Sequence, residues 1–119
     1  MPRRTLTKPD GMRTTTEALA ELNRRGVDCS EDQLYRCGTA VFPPGELASA
    51  WGAPRFYDEA HLAFLEVALN LQSVTHLRYD HLSLLADTAR QHQLDVATVF
   101  QALLDKARGT NTQQRRLSA

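Results

Sequence analysis

Residues 24–38 read RRGVDCSEDQLYRCG, the pattern of a tight turn followed by a short helix. Gly26 can adopt the positive φ that closes a helix C-terminus. Ser30 has the side chain of a helix N-cap, and Gln33 follows it at the spacing of a capping box. The stretch therefore predicts a second helix over about 31–36, joined to the helix before it as a helix-turn-helix.

The helix before the turn has its own start signal. Thr14 and Glu17 stand at capping-box spacing, and the helical pattern ends near Arg25. Its apolar stripe comprises Ala18, Leu19 and Leu22. The second of two helices joined by such a turn is the element that most often enters the major groove of DNA.

The stretch after the second helix has three prolines and three glycines and is too long for an ordinary connection. Two short β-prone pieces lie in it, residues 41–42 and 55–57. We expect them to pair as the strands of a wing. Trp51 lies between them, and we expect it to cover the core rather than to contact a partner.

Three further helices are expected in the second half of the chain. Asp58, Asp80 and Asp95 are the expected N-terminal residues, and Gly109 is expected to end the last helix. The last helix has an apolar stripe of nearly four turns. The stripe comprises Val96, Val99, Phe100, Leu103, Leu104 and Ala107.

Length and composition favour one domain with loose ends. The chain has 119 residues, of which 42% are hydrophobic, and its formal net charge is zero. We expect a flexible basic arm over 1–13, a domain over 14–94, a helix over 95–108 and a disordered tail over 109–119. The chain has neither an apolar run of membrane-spanning length nor a signal-peptide pattern, so we expect a cytoplasmic protein without a membrane partner.

The order of these elements resembles the MerR family of winged helix-turn-helix transcription regulators. The residues that carry the resemblance are CSEDQLYRCG at 29–38, VFPP at 41–44 and PRFYDEAHLAFLEVALNLQ at 54–72. It implies a mostly α-helical fold with a β-hairpin wing, a recognition helix that starts at Ser30, and a wing that contains Arg55 and Tyr57. The sequence departs from the family in two places: Arg36 is displaced by one position, and Glu46 follows the double proline where arginines are usual.

Two functions from different classes remain open. As a regulator, the chain would bind double-stranded DNA, with Gln33 and Arg36 on base edges and arginines on phosphates. As a protein-interaction module, it would be an accessory factor or inhibitor of a nucleic-acid machine, which the acidic Glu31, Asp32 and Glu46 favour. The candidate DNA-binding residues are Arg24, Arg25, Ser30, Gln33, Arg36, Arg55 and Tyr57.

A homodimer is expected through the fifth helix. Its stripe is wider than a small domain needs, and exposed apolar patches of that size usually mark an interface. The candidate interface residues are Val96, Val99, Phe100, Leu103 and Leu104. The alternative is that the stripe packs on the third helix and completes the core of a monomer.

Catalytic and metal chemistry are not indicated. The histidines, at 61, 76, 81 and 92, have no metal-ligand spacing. Cys29 and Cys37 are expected to be buried reduced thiols. We therefore expect neither an enzyme nor a cofactor or metal.

Overall fold

The computed structural model describes residues 8–48 and 53–117, with side chains through residue 109. Five α-helices and one two-stranded antiparallel sheet lie in these ranges. In chain order they are β1 (Arg13–Thr14), α1 (Thr15–Arg24), α2 (Glu31–Val41), β2 (Phe56–Tyr57), α3 (Glu59–Thr75), α4 (Tyr79–Gln91) and α5 (Val96–Leu117). The expected mostly α-helical fold is confirmed.

The two capping boxes predicted around the first turn are confirmed. The Thr14 hydroxyl accepts the Glu17 N–H at 3.2 Å, and the Glu17 carboxylate accepts the Thr14 N–H at 3.1 Å. Ser30 and Gln33 repeat this exchange at the start of α2. Each box satisfies N–H groups that have no partner within the helix.

The turn between α1 and α2 is closed by Gly26, whose φ is +90°. The Val27 N–H donates to the Leu22 carbonyl at 2.9 Å, and the Val27 side chain is buried. The direction of α2 is therefore set by a glycine turn and by an apolar side chain inserted beneath it.

The wing expected from residues 41–42 and 55–57 does not form as predicted. Val41 is the last residue of α2, which is longer than predicted because Leu34, Cys37 and Val41 continue its buried face. The strand Phe56–Tyr57 pairs instead with β1, in the register Arg13 opposite Tyr57. Helical burial of Val41 prevails over its β propensity.

The helices of the second half differ from expectation mainly at their ends. Asp58 caps α3 as predicted, but the N-cap of α4 is Arg78 and not Asp80. The Asp95 carboxylate accepts the Thr98 N–H at 3.1 Å at the start of α5. The predicted stop at Gly109 is wrong, because α5 continues to Leu117 through most of the expected tail.

The core is arranged around α3, which packs against α5, α2 and α1. The Phe64 and Phe100 rings join α3 to α5, with centroids 5.0 Å apart. α4 also packs against α2. The largest fully buried side chains are Tyr57, Phe100, Leu22, Leu34, Leu62, Leu65, Leu71, Leu82, Leu104, Val41 and Cys37.

The basic arm and Trp51, both expected at the periphery of the domain, are described only in part. Residues 1–7 of the expected basic arm and Trp51 lie outside the described ranges. The described end of the arm is in contact with the domain, because Lys8 forms an ion pair with Glu17 at 3.0 Å and Arg13 lies in β1. No helix within the described ranges is long and apolar enough to cross a membrane.

Candidate nucleic-acid interface

The outer face of α2 is exposed to solvent. Leu34, Cys37 and Val41 bury one side of the helix. The opposite side exposes Glu31, Asp32, Gln33, Tyr35, Arg36 and Thr39. Tyr35 is conspicuous among them because 54% of its surface is exposed, which is unusual for a large aromatic side chain.

Arg55 is fixed on this face from outside the helix. Its Nη1 donates to the Tyr35 carbonyl at 3.0 Å, and its Nη2 donates to the Thr39 hydroxyl at 2.6 Å. The guanidinium carbon also lies 3.8 Å from the centroid of the Tyr35 ring. Tyr35 and Thr39 are four residues apart, so one turn of α2 holds the guanidinium at two points.

Gly38 makes room for this arrangement. A Cβ atom at this position would lie 3.0 Å from Arg55 Nη1 and 3.0 Å from Leu47 Cδ1. The guanidinium therefore crosses α2 at a position that has no side chain. The residue after Arg55 is held in place, because the Phe56 N–H donates to the Leu47 carbonyl at 2.9 Å.

Arg55 also differs in its charge balance from six other arginines of the described ranges. Its contacts within the described ranges include no carboxylate. Arginines that do contact a carboxylate are Arg13, Arg24, Arg25, Arg36, Arg78 and Arg90. A guanidinium held by neutral groups retains its full positive charge and has donors left for an anion.

The arginines flanking the turn are neutralised by acids of the fold. Arg25 contacts Glu21 at 2.9 Å and Glu59 at 2.5 Å, and 18% of its side chain is exposed. Arg24 contacts Glu21 at 2.5 Å and is largely exposed. Hydrogen bonds from Arg24 and Arg25 lower the pKa of Glu21 to about 2. Arg25 thus serves as a link between α1 and α3.

Ser30 and Gln33 lie at the start of α2, and both are occupied in its capping box. The Gln33 side-chain oxygen accepts the Ser30 N–H at 2.8 Å. This is the arrangement expected if Gln33 only completes the cap. Arg36 lies one turn further along, with Nε 2.9 Å from the Asp32 carboxylate. Both partners are largely exposed, so this pair can exchange with another anion at low cost.

The assignment of Tyr57 to the DNA-binding residues is not compatible with its position. None of its surface is exposed, because β2 places it between β1 and the core. Its hydroxyl is buried without a hydrogen-bond partner among the described residues. Tyr57 is a core residue.

The residues expected to form a dimer interface on α5 are partly buried in the core and partly exposed at the surface. Phe100 and Leu104 are buried, with 0% and 2% of their surfaces exposed, since they pack on α3. The alternative, that the stripe completes the core, is confirmed for these two residues. Val96 packs against the edge of the core. Val99 is half-buried and Leu103 is 37% exposed, so these two lie at the surface.

Tyr35, Gly38 and Thr39 were not singled out from the sequence. Tyr35 and Thr39 have helical i, i+4 spacing, which indicates a shared face, but their common partner is 16 residues beyond Thr39. The sequence therefore indicates that Tyr35 and Thr39 share a helix face, but it does not indicate that Arg55 contacts them.

The thiols are buried as expected, at 9% exposure for Cys29 and 0% for Cys37. Burial raises the pKa of the Cys37 thiol to about 12 and also raises that of Cys29. Neither is a ready nucleophile, since the thiolate is the reactive form. The described residues contain no group of three or more metal-ligating side chains.

The face of α2 is thus a helix surface with one rigidly held cation and an exposed aromatic ring. Comparisons with protein-family models, with curated proteins and with solved structures give no match for this chain.

Proposed function

We propose that this chain is a DNA-binding transcription regulator of MerR-like helix-turn-helix type, with α2 as its recognition helix. The observation that carries the proposal is the position of Arg55, a guanidinium without a carboxylate partner in the described ranges that is held on the exposed face of α2. Arginine presents several N–H donors in a planar fork that matches phosphate oxygens. Because its position is fixed, less side-chain entropy is lost when phosphate binds.

Roles can be assigned to the residues of the α2 face. Arg55 contacts a backbone phosphate, and Arg36 and Thr39 face base edges in the groove. Tyr35 holds Arg55 and covers the adjacent sugar and phosphate. Arg24, whose side chain is 72% exposed, exchanges Glu21 for a second phosphate at the end of α1. A homodimer would place two such faces on one DNA site, with Val99 and Leu103 on α5 as the remaining interface candidates. A cytoplasmic location goes with this proposal.

Binding of duplex DNA as a function of salt tests the proposal. We expect anisotropy titrations with genomic fragments to give an affinity that falls steeply with salt. Arg55→Ala should weaken binding to all sequences and reduce the salt slope by about 1. Arg78→Ala is the control, because Arg78 lies at the start of α4, is paired with Asp80 and is more exposed than the half-buried Arg55. Absence of binding at low salt would end the regulator proposal.

The second candidate is a protein-interaction module, and the ion pairs favour it. Carboxylates of the fold neutralise most of the described arginines, and Glu31 and Asp32 add negative charge at the start of α2. Tyrosine and arginine, here Tyr35 and Arg55, are also the residues most often found at the centre of protein interfaces. If DNA does not bind, cross-linking from a photoreactive residue at position 36, which is exposed on the same face and does not hold Arg55, should capture a protein partner, and Tyr35→Ala should abolish the capture.

A further inference from the structure

A second surface feature lies away from the exposed face of α2. It is a cavity of about 370 Å³ where the C-terminal end of α2 meets the first turns of α3 and α5. This volume is within the range of small-molecule sites, which is roughly 300–1,000 Å³. Nothing in the proposed DNA contacts uses it.

One wall of the cavity is aromatic. Phe42 and Phe64 meet edge to face with centroids 5.3 Å apart, and Phe42 meets the His61 ring in the same way at 5.1 Å. Val96 and Ala97 form the opposite wall. These contacts hold the rings in place, so the apolar surface of the cavity is largely preformed.

The rim of the cavity is negative. Glu46 and Asp58 both line it, and nearly half of each side chain is exposed. Within the described ranges neither carboxylate contacts a lysine or an arginine. Asp58 is occupied as the N-cap of α3, where its charge is offset by the helix dipole. Glu46 has no such compensation.

His61 links the start of α3 to Glu46. Its Nδ1 accepts the Asp58 N–H at 3.0 Å in the capping box of α3. In that tautomer the proton is on Nε2, which donates to Glu46 Oε1 at 3.1 Å. The ring thus orients Glu46 at the rim.

The cation on the cavity wall is already engaged. Arg90 Nη1 donates to the Asp87 carboxylate at 3.1 Å, and Nη2 donates to the carbonyl of Val41 at the end of α2. Its charge is balanced by Asp87 and by the negative end of the α2 dipole. The cavity therefore combines an aromatic wall with a carboxylate, Glu46, that contacts no lysine or arginine among the described residues.

We propose that this cavity binds a small organic cation, a protonated amine on an aromatic body. The aromatic body packs between Phe42, Phe64 and Val96, and the ammonium lies beside Glu46. The faces of aromatic rings also attract a cation, so the wall and the rim favour the same charge.

The experiment titrates the full chain, without DNA, with three probes of equal shape. These are 2-naphthylethylammonium, the neutral 2-naphthylethanol and the anion 2-naphthylacetate. Two-dimensional amide NMR spectra should show saturable shifts at Phe42, Glu46, His61 and Val96. We expect the ammonium to bind about threefold or more tightly than the alcohol, the size expected for a half-exposed charge pair, and the anion to bind weakest.

Two variants with one control separate the wall from the rim. Glu46→Gln should remove the preference for the cation and leave binding of the alcohol unchanged. Glu31→Gln is the control, since it removes an exposed carboxylate at the far end of α2. It should change neither the preference for the cation nor the binding of the alcohol. Ala97→Phe narrows the cavity and should abolish binding of all three probes with the melting temperature retained. The proposal is overturned if the probes bind alike, if the shifts lie elsewhere, or if the ammonium fails to saturate.

Discussion

The guanidinium of Arg55 lies 3.8 Å from the centre of the Tyr35 ring, while its two terminal nitrogens hold α2 at Tyr35 and Thr39. This relationship joins the segment before β2 to the exposed face of the helix. It places a cation at a defined point of a face whose other charged residues are Glu31, Asp32 and Arg36. The first prediction concerns the ring.

Tyr35→Ala should free the Arg55 side chain, whereas Tyr35→Phe should not. The alanine variant loses the ring contact, worth about 0.5–1 kcal/mol at an exposed site, but keeps the backbone carbonyl. Nitrogen relaxation of the Arg55 Nε measures the mobility without any ligand. Under the DNA proposal, affinity should fall about two- to fivefold in parallel. Equal mobility of Arg55 in both variants would show that the ring does not hold it.

Tyr57→Phe should leave the protein as stable as before, or more stable. The Tyr57 hydroxyl is buried without a partner among the described residues, and an unsatisfied buried hydroxyl costs about 1–3 kcal/mol. Tyr57→Ala is the control and should destabilise by about 3–5 kcal/mol, the usual cost of an aromatic-to-alanine change in a core. Urea unfolding measures both. A marked loss of stability in Tyr57→Phe would mean that the hydroxyl has a partner.

Phe100 and Leu103 should respond in opposite ways. Phe100→Ala removes a ring that packs on Phe64 and should destabilise by about 3–5 kcal/mol. Leu103→Glu lies at the surface and should change stability by no more than about 1 kcal/mol. Thermal unfolding measures the difference.

The same Leu103→Glu variant tests the homodimer by light scattering. If α5 forms the interface, the variant is a folded monomer where the unaltered chain is a dimer. If the unaltered chain is already a monomer, Val99 and Leu103 are no longer candidates for a dimer interface.

Ionised Glu21 should stabilise the folded state, and this contribution should be lost only at acid pH. Its pKa falls from 4.5 unfolded to about 2 folded, because it accepts hydrogen bonds from Arg24 and Arg25. A lowered folded pKa gives stability that is full above the unfolded value and is lost as pH falls through the folded one. Glu21→Gln should thus be less stable at neutral pH, and the difference should shrink between pH 4.5 and about 2. Urea midpoints of both proteins across this range check it. A constant difference would contradict the pKa shift.

The elements that could be predicted from the sequence are those whose signals are local. The boxes at Thr14 and Ser30, the cap at Asp58 and the turn at Gly26 all depend on residues within one helical turn of each other. The periodic apolar positions of α3 and α5 predicted their helices for the same reason. Local hydrogen bonds and helical periodicity depend on residues close together in the chain, so a single sequence is enough to predict them.

The contacts of those elements depend on packing between residues that are far apart in the chain. Val41 is β-branched, yet the core makes it the end of a helix, and β2 pairs with a strand more than 40 residues earlier. The same packing turned Phe100 and Tyr57 inward, paired Arg25 with acids on two helices, and left Arg55 without a carboxylate among the described residues. These outcomes depend on which distant groups meet. Spacing along the chain carries no information about that, because burial and charge compensation are settled between elements.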